Sequence, residues 1–217
     1  MLTKGETVME MRGIPSAMWA LFARSFRQNL STVFGMDAPT AKAVTKAAKR
    51  KYREILADLP VFERGDRFLV NAVGCAMLAA FILSMPTRPT VDALTDFYAR
   101  AMMTPPMRLF CRLSAKNKFT ASDIEAMQET AAFRAADRNP YSWNMDFLPY
   151  PDGSGYEARF TKCGICALMQ KLELYDLTPA MCRLDYTMSE AGEKTNFVRE
   201  YTLASGGPYC DCGYKKK

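Results

Sequence analysis

Two short stretches, Tyr141-Ser142-Trp143-Asn144-Met145-Asp146-Phe147-Leu148 and Tyr156-Glu157-Ala158-Arg159-Phe160-Thr161-Lys162-Cys163, decide the fold. Large apolar and polar residues alternate in both, the period of a strand buried on one face. Between them Pro151-Asp152-Gly153-Ser154-Gly155 supplies turn residues, so residues 141–148 and 156–162 read as a hairpin. Downstream, short helices are expected over 164–172 and 179–191, the second capped by Thr178 and ended at Gly192. Strands over 196–203 and 209–214 then flank Gly206-Gly207-Pro208.

Upstream of Asn139-Pro140 the period is helical instead. Ala17, Leu21, Phe22, Phe26 and Leu30 recur behind Pro15, and Ala38-Pro39-Thr40 opens a basic helix that runs to about Leu56. Residues 68–85 form an apolar helix, and Thr90 caps one that carries Leu94, Phe97, Tyr98 and Met102 and is closed by Pro105-Pro106. A last helix starts at Thr120, with Asp123 in a capping-box position, and reaches about Asp137. The order is therefore an α+β fold: a helical region over 1–138, packed with a region over 139–217 in which an antiparallel sheet carries two helices as β-β-α-α-β-β.

The chain has 217 residues, 49% of them hydrophobic and 24% charged, which fits a globular protein with an ordinary core. The start Met1-Leu2-Thr3-Lys4 lacks the features of a secretory signal, and the apolar run from Ala72 to Met85 is about 14 residues, below the length needed to cross a bilayer. A cytoplasmic protein with no membrane partner is expected. The net charge of +6 clusters at Lys46 to Arg53 and Lys215-Lys216-Lys217 without a nucleic-acid-binding motif, so no nucleic-acid partner is expected.

Seven cysteines and no histidine constrain the chemistry. Without imidazole, catalysis falls to thiols, carboxylates, hydroxyls or amines. Cys163 ends a predicted strand and opens a helix, where unpaired N–H groups and the helix dipole favour a thiolate. With Cys166 it also makes a Cys-x-x-Cys dithiol of redox type. Cys182 and Asp185 are three apart on one predicted helix face, and Cys210 and Cys212 point to one face of the last strand. Three or four thiolates with Asp185 are also a possible zinc or iron set, although the spacing lacks paired Cys-x-x-Cys knuckles. Asn144, between Trp143 and Met145, is a candidate pocket residue, and Gly206 and Gly207 bring backbone N–H groups either to a bound anion or into a simple turn.

Phe160-Thr161-Lys162-Cys163, Cys182-Arg183-Leu184-Asp185-Tyr186, Phe197-Val198-Arg199-Glu200-Tyr201-Thr202-Leu203-Ala204 and Gly206-Gly207-Pro208-Tyr209-Cys210-Asp211 together resemble the L-2-amino-thiazoline-4-carboxylic acid hydrolase family. The resemblance covers about Trp143 to Tyr214, and the helical half matches only in general character. It implies a hydrolase that opens a cyclic C–N or C–S bond, the namesake reaction turning 2-amino-thiazoline-4-carboxylate into N-carbamoyl-cysteine. Cys212 stands where the family usually has an aromatic residue, and Cys166 is a thiol outside its pattern. On this footing Cys163, Cys182, Asp185 and Cys210 are the candidate catalytic set. Cys163 or Cys210 attacks the amidine-like carbon or activates water there, and Asp185 moves the proton. Arg199 is expected to hold the substrate carboxylate and Thr202 to orient it. The expected partner is a small-molecule substrate, with no cofactor.

Overall fold

The computed structural model describes residues 8–9, 13–63, 66–135 and 139–217. Helix α1 (Ile14–Phe34) carries Pro15 in its first turn and stops where Gly35 turns left-handed at φ 65°. Its buried stripe is Met18, Phe22, Phe26 and Leu30, one residue every turn, while Leu21, expected inside, is 58% exposed. Helix α2 (Ala38–Ala57) begins on Asp37, whose carboxylate accepts the Thr40 N–H at 2.8 Å. Its Lys and Arg residues lie mostly on the exposed face.

Helix α3 (Leu69–Ile82) is apolar all round and twelve of its fourteen residues are buried, so it forms the centre of the helical layer. Helix α4 (Val91–Met102) is capped by Thr90, as its sequence predicts. Pro105 and Pro106 do more than close α4: they stand in the first turn of helix α5 (Pro105–Ala115), which the sequence reading missed. Proline's fixed φ and missing N–H cost nothing at that position. Helix α6 (Ala121–Ala135) follows, and its expected end near Asp137 lies outside the described residues. Two short strands, β1 (Val8–Met9) and β2 (Phe62–Glu63), pair antiparallel.

The hairpin strands are β3 (Asn144–Pro149) and β4 (Gly155–Lys162). Helix α7 (Gly164–Lys171) follows, then a single 3-10 turn at Tyr175–Leu177. The helix expected over 179–191 is two pieces, α8 (Thr178–Cys182) and α9 (Leu184–Gly192), separated at Arg183. Thr178 lies inside α8 rather than capping it, and its Oγ1 is buried without a partner among the described residues. Strand β5 (Thr195–Val198) is shorter than expected because residues 199–202 leave the sheet before a second 3-10 turn, Leu203–Ser205. Strand β6 (Cys210–Lys216) completes an antiparallel sheet of order β3-β4-β6-β5.

Pairing sets the register of the inner face. Phe160 lies opposite Cys210, Ala158 opposite Cys212 and Tyr156 opposite Tyr214, while Phe197 of β5 joins Tyr214. These side chains pack with Phe68 and with Met127 and Ala131 of α6. The larger core runs from Met18 and Phe26 through α3 and α4 to Trp143, Leu168 and Leu184, so it joins residues on both sides of residue 138. Inside it Arg134 and Asp66, each 1% exposed, pair at 3.0 Å, and Ser142 donates to the same carboxylate at 2.8 Å. This buried cluster ties α6, the chain before α3 and the start of the hairpin together.

Candidate active site

Between the inner face of the sheet, α6, the start of α3 and the α8–α9 corner lies a cavity of about 330 Å³. Its walls carry Cys163, Cys182, Asp185, Arg199 and Cys210 together, with Cys212 beside them. Register explains part of this meeting: Cys210 and Cys212 are two residues apart on β6 and so face the same side. Asp185 lies in the first turn of α9, just past the break at Arg183.

Cys163 is the N-cap residue of α7, in an extended conformation, and it ends where β4 meets the helix. The approach is possible because the next residue is glycine. A Cβ on Gly164 would sit 2.0 Å from the Tyr141 carbonyl oxygen and 3.0 Å from the Trp143 ring. The neighbouring Cys166 thiol is the first influence favouring a thiolate at Cys163, followed by the amides of Cys166 and Ile165 and the Trp143 indole. They hold its pKa below the ordinary thiol value although burial opposes them. Trp143 is itself fixed by stacking on Phe68 at 5.0 Å, and Phe68 meets Phe160 edge-on at 5.7 Å.

The other thiols behave differently. The Cys166 thiol is pushed up, first by its partnership with Cys163 and then by burial. Burial pushes Cys182 up to about 12, and it raises Cys210 and Cys212 as well. The Cys210 sulfur accepts the Leu203 N–H at 3.2 Å, which works against the burial. Of the cavity-facing thiols, Cys163 is the one shifted toward thiolate.

Arg199 donates to the Asp185 carboxylate at 2.8 Å and to the Cys182 carbonyl at 2.6 Å, and it contacts the faces of Tyr186 and Phe197. Its side chain is 5% exposed, whereas that of Asp185 is 41% exposed and lines the cavity. Burial raises the Asp185 pKa and Arg199 pulls it back, with a net upward shift. The loop that carries Arg199 is clamped from behind by Asp211, whose two carboxylate oxygens accept the N–H groups of Glu200 and Tyr201 at 2.8 and 2.6 Å. The sequence motif contained Asp211 without indicating this task.

The remaining candidates stand away from the cavity. Thr202 caps the 3-10 turn by accepting the Ser205 N–H at 3.1 Å. Gly206, at φ 81°, donates its N–H to the Leu203 carbonyl, and Gly207 donates to that of Thr202, so both amides are used within the turn. Asn144 pairs with Lys162 at the hairpin's end, its Oδ1 buried and unpartnered among the described residues. Conversely, Arg67, Lys118 and Tyr214 line the cavity and were not singled out by the sequence reading. The alternation that set Cys210 and Cys212 on one face, carried on to Tyr214, is the one local signal that could have found any of them. The zinc or iron alternative needs three suitable side chains within reach of one ion, and among the described residues no such group occurs.

A sheet and a helical layer that enclose a cavity of this size, lined by thiols, a carboxylate and cations, define an α+β protein suited to a small ligand. Residues 70–214 match the L-2-amino-thiazoline-4-carboxylic acid hydrolase family, and the chain belongs to that family. The match starts at residue 70, so it takes in α3 to α6 as well as the region after Trp143 to which the sequence motifs confined it. No curated protein and no solved structure matches the chain. Among the described residues no helix is long and apolar enough to cross a membrane.

Proposed function

We propose that this protein is a hydrolase that opens the ring of a small thiazoline-like heterocyclic carboxylate, with Cys163 as nucleophile and Asp185 as the proton-transfer group. The observation that carries this reading is the Cys163 sulfur, which faces the cavity from a helix N-cap with its pKa held down. Family membership supports the hydrolase class.

In this mechanism the Cys163 thiolate adds to the amidine carbon, and the ring C–S bond breaks as Asp185 delivers a proton to the departing sulfur. Water then adds to the same carbon, Asp185 recovers the proton, and the Cys163 thiolate leaves as the urea carbonyl forms. One water is consumed and the enzyme returns to its starting state. A carboxyl raised by burial yet steadied by Arg199 suits both proton steps.

The test is hydrolysis of 2-amino-thiazoline-4-carboxylate by the full chain and by Cys163→Ser, Asp185→Asn and Cys210→Ser variants, followed by release of the product thiol. Loss of about a hundredfold or more is expected for the first two, and a smaller loss for Cys210→Ser. Full hydrolysis by all three variants would sink the assignment. One observation favours a second reading: Cys166 lies in the first turn of α7 with its thiol toward Cys163, the layout of a dithiol. A reversible Cys163–Cys166 disulfide in a thiol titration, with no hydrolysis by the reduced protein, would support that reading instead.

A further inference from the structure

The cavity wall carries three cations, Arg67, Lys118 and Arg199, against one carboxylate, Asp185. Arg199 is bonded to that carboxylate. Its guanidinium donors are committed to the Asp185 carboxyl and the Cys182 carbonyl, which leaves Arg67 and Lys118 as the other cations of the cavity wall. Among the described residues neither Arg67 nor Lys118 has a carboxylate within ion-pairing distance. Arg67 is exposed and spends one nitrogen on Thr130 at 2.7 Å and the Ala126 carbonyl at 3.2 Å. Lys118 is the more enclosed of the two.

The chain holds Lys118 there deliberately tightly. The next residue, Phe119, has φ 67°, the left-handed region that a bulky side chain rarely adopts. It is kept there by Asp123, which accepts the Phe119 N–H at 2.9 Å and the Tyr156 hydroxyl at 2.6 Å. The Tyr156 oxygen in turn accepts a hydrogen bond from the Lys118 ammonium at 2.7 Å. The ammonium also sits 4.2 Å from the centre of the Tyr214 ring. An ammonium has three N–H donors, and among the described residues one is used, which leaves two for a ligand. Burial lowers the Lys118 pKa, and the charge of nearby Asp123, one hydrogen bond away through Tyr156, works against that shift.

Tyr214 is four residues along β6 from Cys210, about 13 Å at the rise of a strand. Phe160, opposite Cys210, leads into Cys163, so the thiol group and the cation occupy opposite ends of the cavity floor. We infer that Lys118, seated over Tyr214, is the anion-binding residue of the cavity and receives the carboxylate of the ligand. This rests on the hydrolase reading only in calling that ligand a substrate. The arrangement keeps a bound carboxylate away from the Cys163 thiolate and turns the heterocycle toward it.

The test is calorimetric binding of thiazolidine-4-carboxylate and its neutral carboxamide, neither of which carries the amidine carbon, to the full chain and to Lys118→Met. The carboxylate is expected to bind the unaltered chain at least about tenfold tighter than the carboxamide. Lys118→Met should remove that preference while leaving carboxamide binding unchanged. Equal affinity of the two ligands for the unaltered chain would overturn the inference, even if Lys118→Met did not fold. So would a preference that survives in a folded Lys118→Met. The hydrolase reading stands or falls separately, because carboxylate binding without turnover would keep the anion site and discard the hydrolase. Turnover indifferent to the carboxylate and to Lys118→Met would do the reverse.

Discussion

Replacing Gly164 by alanine probes how Cys163 is positioned. The added Cβ would meet the Tyr141 carbonyl oxygen at 2.0 Å and its carbon at 2.4 Å. A normal carbon–oxygen approach is about 3.3 Å, so α7 and the chain at Tyr141 must part by roughly 1.3 Å. The obstruction is backbone, which cannot rotate aside, so the cost falls near the top of the overpacking range, about 3 kcal/mol. For a chain of this size that lowers the Tm by roughly 6–12 °C. The same displacement draws Cys163 away from the Trp143 indole, and misplacement of about 1 Å costs a catalytic group on the order of 10²-fold. Thermal unfolding followed by circular dichroism gives the first quantity, and hydrolysis the second. Alkylation of Cys163 by iodoacetamide, located by peptide mass spectrometry, should slow in parallel. An unaltered Tm together with unaltered alkylation of Cys163 would show that Gly164 is not required by this contact.

Cys166→Ala removes the largest influence that holds the Cys163 pKa down, so that pKa rises. Because the thiolate is the reactive form, the pH at which Cys163 alkylation falls away on the acid side moves upward, and an unmoved profile would contradict the assignment. Arg134→Met leaves Asp66 buried without its partner and is expected to cost about 3–5 kcal/mol, read from the midpoint of urea unfolding; a midpoint equal to that of the unaltered chain would refute the pair's structural role. Hydrolysis is expected to survive dialysis against a zinc and iron chelator. Stoichiometric metal by elemental analysis that disappears when Cys163, Cys182 and Cys210 are changed would replace the thiolate mechanism with a metal-binding one.

The sequence by itself determined the fold class and, apart from the break at Arg183, the order of elements after residue 138, because the change from a helical period to strict alternation is a local property of the chain. It likewise placed Cys163 at a strand-to-helix junction, and alternation alone set Cys210 and Cys212 on one face. Proline was ambiguous for a local reason: Pro105-Pro106 stops one helix and starts the next equally well, so α5 was lost. The rest was settled only when distant segments met. Arg199 and Asp185, fourteen residues apart, pair where the first turn of α9 meets the chain leaving β5. Lys118 reads as an ordinary loop lysine until Asp123 and Tyr156, from α6 and β4, turn it over Tyr214. Periodicity reports which face of an element a side chain takes, whereas the charge that faces it across a cavity depends on how the elements pack.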